Sequence, residues 1–167
     1  MKEDKIIIAT GLAEHPSLIT DLRQIIEQAR SHVAATANHE LTMMYWHIGE
    51  RINREMLGNQ RAEYGKQIVA SVARQLREEY GSKGFEIRNI RRMMQFAVLF
   101  PNEQIVSQAA TQLTWSHFME VLPLKDDIAR EFYITLAASE RWGRNRLRKE
   151  IDGNFPSDDN EFKEEVK

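Results

Sequence analysis

Apolar residues recur at helical spacing along nearly the whole chain. After Pro16, with Ser17 placed as an N-cap, Leu18, Leu22, Ile25, Ile26, Ala29 and Val33 form one stripe. Leu41, Met44, Tyr45, Ile48, Ile52 and Met56 form a second, which ends at Gly58. No breaker separates the two, and they stay nearly in phase across residues 34–38. The pattern fits two helices, the second capped at Asn38, and it equally fits one helix of about 40 residues, roughly 60 Å long. A helix of that length cannot bury its stripe inside a small domain and seeks a partner chain, so a homodimer is expected.

Further along, Val69, Val72, Ala73 and Leu76 predict a helix over about 62–80, which Gly81 and Gly84 bring to an end. A second helix is predicted over about 86–100, stopping before Pro101. A polar connector follows over 102–112, then a short helix, 115–122, capped by Thr114 and closed by Pro123. A last helical region runs over 126–151 with a break near Gly143. No period-2 alternation exceeds four residues. The expected fold is all-α: a multi-helix domain with long N-terminal helices and a helix-turn-helix-like unit. Residues 1–16 read as a flexible arm, 17–152 as the helical domain and 153–167 as an acidic, disordered tail.

Composition narrows the function. The 167 residues contain no cysteine, which excludes disulfides, thiolate metal sites and a cysteine nucleophile. No apolar run reaches the roughly 20 residues of a membrane span, and a cytoplasmic, membrane-free protein is expected. The formal net charge of −2 is unevenly spread. From Glu150 onward there are seven acids and two bases, or −5, which leaves +3 on residues 1–149. The basic part is where a polyanion would be met.

The segment 62–100 has the layout of a helix-turn-helix. On its second helix Ile87, Ile90, Met94, Ala97 and Val98 are read as the inward stripe. Arg88, Arg91, Arg92 and Gln95 stand at i, i+3, i+4 and i+7 on another face. Three guanidiniums on the first two turns of a second helix are what a major-groove reader presents: arginine pairs with guanine edges or phosphates, and Gln95 is suited to adenine. Double-stranded DNA is therefore the expected partner. The alternative is an ordinary solvated face whose arginines pair with Glu78, Glu79 or Glu86. A second basic cluster, Arg141, Arg144, Arg146, Arg148 and Lys149, is diluted by Glu140, Glu150 and Asp152. Of these, Arg144, Arg146, Arg148 and Lys149 are taken as further DNA contacts; the alternative is a helix end stabilised by its own dipole.

Catalytic chemistry is thin. His39 and His47 lack a third ligand, and His117 has no visible partner in the sequence. There is no phosphate-cradling glycine loop and no nucleophile elbow. Pro156, Asp158, Glu161 and Lys163 echo the letters of a nuclease signature, but within one short polar stretch rather than on neighbouring strands. Neither catalysis nor a metal or other cofactor is expected. The tryptophans Trp46, Trp115 and Trp142 read as core.

Five segments then carry a family resemblance: Tyr45-Trp46-His47-Ile48-Gly49, Arg61-Ala62-Glu63-Tyr64-Gly65, Gly84 to Met93, Leu113-Thr114-Trp115-Ser116-His117-Phe118, and Glu140-Arg141-Trp142 running into Leu147-Arg148. In this order the chain from about Leu18 to Asp152 resembles the N-terminal domain of YhcG-like proteins. That family pairs the helical domain with a C-terminal PD-(D/E)xK nuclease-like domain. The resemblance implies a bacterial protein tied to DNA transactions, with a nuclease domain or subunit as a further partner. The nuclease residues have no counterpart in residues 1–167.

Overall fold

The computed structural model describes residues 16–57, 62–81 and 83–154, with the backbone alone at 16, 17, 22 and 62. The expected N-terminal arm (except Pro16) and the tail beyond Asn154, with its nuclease-like letters, lie outside the described residues. Among the described residues there are seven helices and no strand. In chain order they are α1 (Pro16–Leu57), α2 (Ala62–Tyr80), α3 (Ile87–Leu99), α4 (Glu103–Ala109), α5 (Trp115–Val121), α6 (Asp127–Ser139) and α7 (Arg144–Asn154).

The single-helix alternative holds at the N-terminus: α1 is one helix of 42 residues. It starts at Pro16, so Ser17 falls inside its first turn rather than at a cap. Asn38 lies mid-helix, where its carbonyl accepts from the Thr42 hydroxyl at 2.8 Å. By their contacts the residues fall into two units that meet between Ala37 and Asn38.

The first unit is the helix up to Ala37. Every residue from Asp21 to Ala37 whose side chain is described is exposed, including the apolar Ile25, Ile26, Ala29 and Val33.

The second unit holds the core, in two clusters. The larger gathers Met43 and Trp46 of α1, Phe96 and Ala97 of α3, Val106 of α4, Phe118 and Val121 of α5, Tyr133 and Ile134 of α6, and Leu147 and Ile151 of α7. The smaller joins Ile52 of α1, Val69 and Ala73 of α2, and Ile90 and Met93 of α3. Thus α1 and α3 each contribute to both, and the half-buried Trp115 packs against both. Phe96 is the aromatic hub, with its ring centroid 4.8 Å from Phe118, 5.2 Å from Trp115 and 5.6 Å from Phe100.

The inward face of α1 differs from the expected stripe. Leu41 and Met44 are exposed, while Thr42, Met43, Trp46, Gly49 and Ile52 are buried. The contact with α3 explains the offset. The Trp46 indole Nε1 donates to the Phe100 carbonyl at 2.8 Å. The Asn53 amide donates to the Met94 carbonyl at 2.9 Å. Between them Gly49 lies so close to the backbone of Met93 that a methyl group there would overlap its carbonyl. Glycine and asparagine do not register as apolar, so a stripe drawn through apolar letters misses the centre of the face.

Two more differences concern the middle of the chain. The stretch expected to be a polar connector contains α4, whose N-cap Asn102 accepts from the backbone N–H of Gln104 and Ile105 at 3.0 and 3.3 Å. The break near Gly143 is present, and it begins earlier than the glycine. Arg141 takes φ +55°, and the Trp142 N–H bonds back to the Ala137 carbonyl at 2.9 Å, a left-handed helix end that glycine usually supplies. As expected, Thr114 precedes α5 as its N-cap, and Trp46 and Trp142 are buried.

Candidate nucleic-acid interface

Helix α3 is held by its own sequence. Gly81 and Gly84 adopt φ +89° and +93°, which lets the chain turn tightly out of α2. Glu86, in extended conformation, precedes the helix, and Pro101 follows it. Its inward face is Ile90, Met93, Phe96 and Ala97, all buried. This departs from the expected stripe in one respect that matters: Val98 is 63% exposed, and Met93 and Phe96 take the buried positions instead. The helix crosses two core clusters, so its buried face is wider and is rotated toward Met93.

The opposite face carries Arg88 and Arg91, both exposed, with Arg92 half-buried beside them. Among the described residues none of the three side chains has an ion pair or a hydrogen bond. The carboxylates considered as partners are engaged elsewhere or stand apart; Glu79, for example, accepts from Gln75 at 2.6 Å. Lys83, exposed in the turn just before α3, adds a fourth cation. Gln95 is exposed but leans away from this row: its amide reaches the Leu122 carbonyl at 3.5 Å, a long and weak bond. One turn on from Gln95, and two from Arg91, comes Val98, so the face ends in an exposed apolar side chain.

The second basic cluster is built differently. The Arg144 Nε donates to Glu120 at 2.8 Å, and Arg148 donates to both oxygens of the same carboxylate at 2.7 and 3.1 Å. Glu120 lies on α5, and its side chain is only 12% exposed. Burial alone would raise its carboxyl pKa; hydrogen bonds and charge from Arg148 and Arg144 outweigh that and hold it below the ordinary carboxylate value. The same contact raises Arg148. Arg146 stacks over the Trp142 ring at 4.9 Å and faces Glu150 at 4.0 Å. Lys149 is exposed. Two arginines of this cluster, Arg144 and Arg148, therefore join α7 to α5 through Glu120, an acid outside the cluster, while Arg146 faces Glu150, one of the acids the sequence suggested. The signal was present: Glu120 is the lone acid in the seven-residue helix α5.

The three histidines considered as ligands, His39, His47 and His117, have partners within the chain. His117 is buried. The Thr114 N–H donates to its Nδ1 at 3.0 Å, which leaves Nε2 protonated to donate to the Trp142 carbonyl at 2.8 Å. His39 meets the Ser107 hydroxyl at 3.0 Å, and His47 meets Glu103 at 3.2 Å. Among the described residues no group of three His, Asp or Glu side chains is placed to hold a metal ion. No described helix is long and apolar enough to cross a membrane.

The chain is 25% identical over 161 residues to "Putative nuclease YhcG" of Escherichia coli (strain K12), a match that covers 78% of this chain and 43% of YhcG. The chain thus spans less than half the length of that relative. No solved structure matches it. The model of the DUF1016 N-terminal domain matches residues 21–156, most of the length, and the chain belongs to that family.

Proposed function

We propose that this domain is a non-catalytic module that binds duplex DNA through α3. The observation that carries the reading is the contrast between its two basic clusters. On α7 the guanidiniums of Arg144 and Arg148 are bound to a nearly buried carboxylate. On α3, Arg88, Arg91 and Arg92 stand along one face with no acid against them among the described residues, on a helix whose other face is locked into the core. Exposed cations with no partner keep their full attraction for phosphate, whereas a paired guanidinium must first give up its carboxylate. The spacing of Arg88, Arg91 and Arg92 suits a helix laid in a major groove, with Lys83 on the adjoining backbone and Val98 against a thymine methyl. The relative's printed name, "Putative nuclease YhcG", makes a nucleic acid the natural polyanion, and the helix-turn-helix-like layout favours a duplex. Fluorescence anisotropy of a labelled duplex tests this directly: wild type binds, and R88A/R91A/R92A binds at least tenfold more weakly.

A second reading, that the module docks a nuclease domain or subunit, is favoured by a separate feature. A groove of about 670 Å³ lies between the turn at 99–102, α4 and α6, floored by Phe100 and Ile134. Ile105, Ile128 and Phe132 stand exposed on the same two helices. A protein with no affinity for duplex at low salt would bring this reading to the front.

A further inference from the structure

From Asp21 to Ala37, α1 is a helix whose described side chains are all exposed. An isolated helix in water is marginal, and this stretch includes the β-branched Ile25, Ile26, Val33 and Thr36, which lower helix propensity. Something must cover its apolar stripe. At about 100° per residue, Leu18, Ile25, Ile26, Ala29 and Val33 fall within an arc about 100° wide. Their positions are symmetric about a point midway between Ile25 and Ile26. Leu18 and Val33 stand equally far from that point, and the sequence places Leu22 and Ala29 at matching distances inside them. A stripe symmetric about its own centre fits a second copy of itself running in the opposite direction, as a two-fold interface requires.

We propose that residues 18–33 pair with the same segment of a second copy of this chain, antiparallel, about a two-fold axis at Ile25 and Ile26. The flanking charges fit this arrangement on one side. Asp21 lies on the same flank of the stripe as Gln28 and His32. In the antiparallel pair it comes level with the region between Gln28 and His32 of the second copy, where both side chains offer a partner. On the other flank Arg23 of one copy comes within about 3 Å, along the axis, of Arg30 of the other. Glu27, one turn from each on its own helix, offsets this repulsion without removing it. The expected seam is shorter than the sequence pattern suggests, because Met43, Trp46, Gly49 and Ile52 are buried within their own chain. The inference does not rest on DNA binding, and its failure would leave that reading unchanged.

The test uses the full chain. Sedimentation at tens of micromolar should give twice the chain mass. Ile25→Asp together with Ile26→Asp should give monomers, with the denaturant midpoint of the core unchanged. Arg30→Glu converts each Arg23–Arg30 repulsion into an attraction, and should tighten the dimer about tenfold. The chain has no cysteine, so introduced thiols report cleanly. Leu18→Cys alone should not cross-link on oxidation, because its copies would stand about 22 Å apart along the axis. Leu18→Cys mixed with Val33→Cys should. A monomeric wild type, a dimer indifferent to the Ile25 and Ile26 changes, or self-cross-linking of Leu18→Cys would each overturn the proposal.

Discussion

The side-chain amide of Asn53, on α1, donates to the main-chain carbonyl of Met94, in the middle of α3, at 2.9 Å. A mid-helix carbonyl already serves its own helix, so the bond is a tether between helices rather than a rescue of an orphan group. One turn away Gly49 lies directly against the backbone of Met93. Gly49→Ala in an exposed helix would gain roughly 1 kcal/mol from propensity. Here the added methyl must push two backbones apart, and we expect a loss of about 2–4 kcal/mol instead. Urea unfolding of Gly49→Ala beside Gly153→Ala checks the sign. Gly153 has open space where a Cβ would go, so its variant should match or slightly exceed wild type.

Glu120 ties α5 to α7 through Arg144 and Arg148, and its carboxyl is held below the ordinary value. Such a group contributes stability that is fully present above its unfolded pKa, about 4.3, and is lost as pH falls through the lower folded value. Thermal unfolding of Glu120→Gln should therefore show a lowered midpoint at pH 7. The gap from wild type should narrow as the pH is taken well below 4. A gap independent of pH would show that the loss is steric and not one of charge.

His117 takes the part that Glu or Gln usually plays in a capping box, accepting from the Thr114 N–H, and adds a bond to the Trp142 carbonyl at 2.8 Å. His117→Leu fills similar space but leaves both backbone groups without that partner. The expected cost is about 2–4 kcal/mol. Chemical denaturation measures it, and a loss under about 0.5 kcal/mol would mean that water replaces the ring without penalty.

Where the sequence was readable, apolar spacing and helix punctuation agreed. The all-α class, the span of α2, the stop of α3 at Pro101 and the Thr114 cap all rest on such local signals. Two of the failures lie where polar residues or glycine set the local structure. Gly49 and Asn53 set the inward face of α1, and Asn102 starts a helix in a stretch read as a connector. Val98 is apolar and its spacing predicts burial; the width of the α3 core face is a tertiary property that puts it outside. The basic row on α3 was visible as a spacing of arginines. That its arginines lack acids while those of α7 share Glu120 depends on which helices meet, and no spacing within the chain encodes it. Arg130, buried with its guanidinium on Asp127 and the Leu124 carbonyl, gave no sequence signal either.

Among the described residues α3 presents arginines without acids, and α7 presents arginines bound to Glu120. The measurement that separates them is the salt dependence of duplex binding, taken at two or more salt concentrations for wild type, R88A/R91A/R92A and R144A/R148A, with a urea midpoint for each. The α3 variant should keep the wild-type midpoint, lose at least tenfold in affinity, and flatten the log–log salt slope by about 0.9 for each phosphate contact removed. The α7 variant should lose stability, because Glu120 is left without its partners, and should keep most of the salt slope. An α3 variant that binds duplex with wild-type affinity and slope, while the α7 variant loses both, would contradict the account.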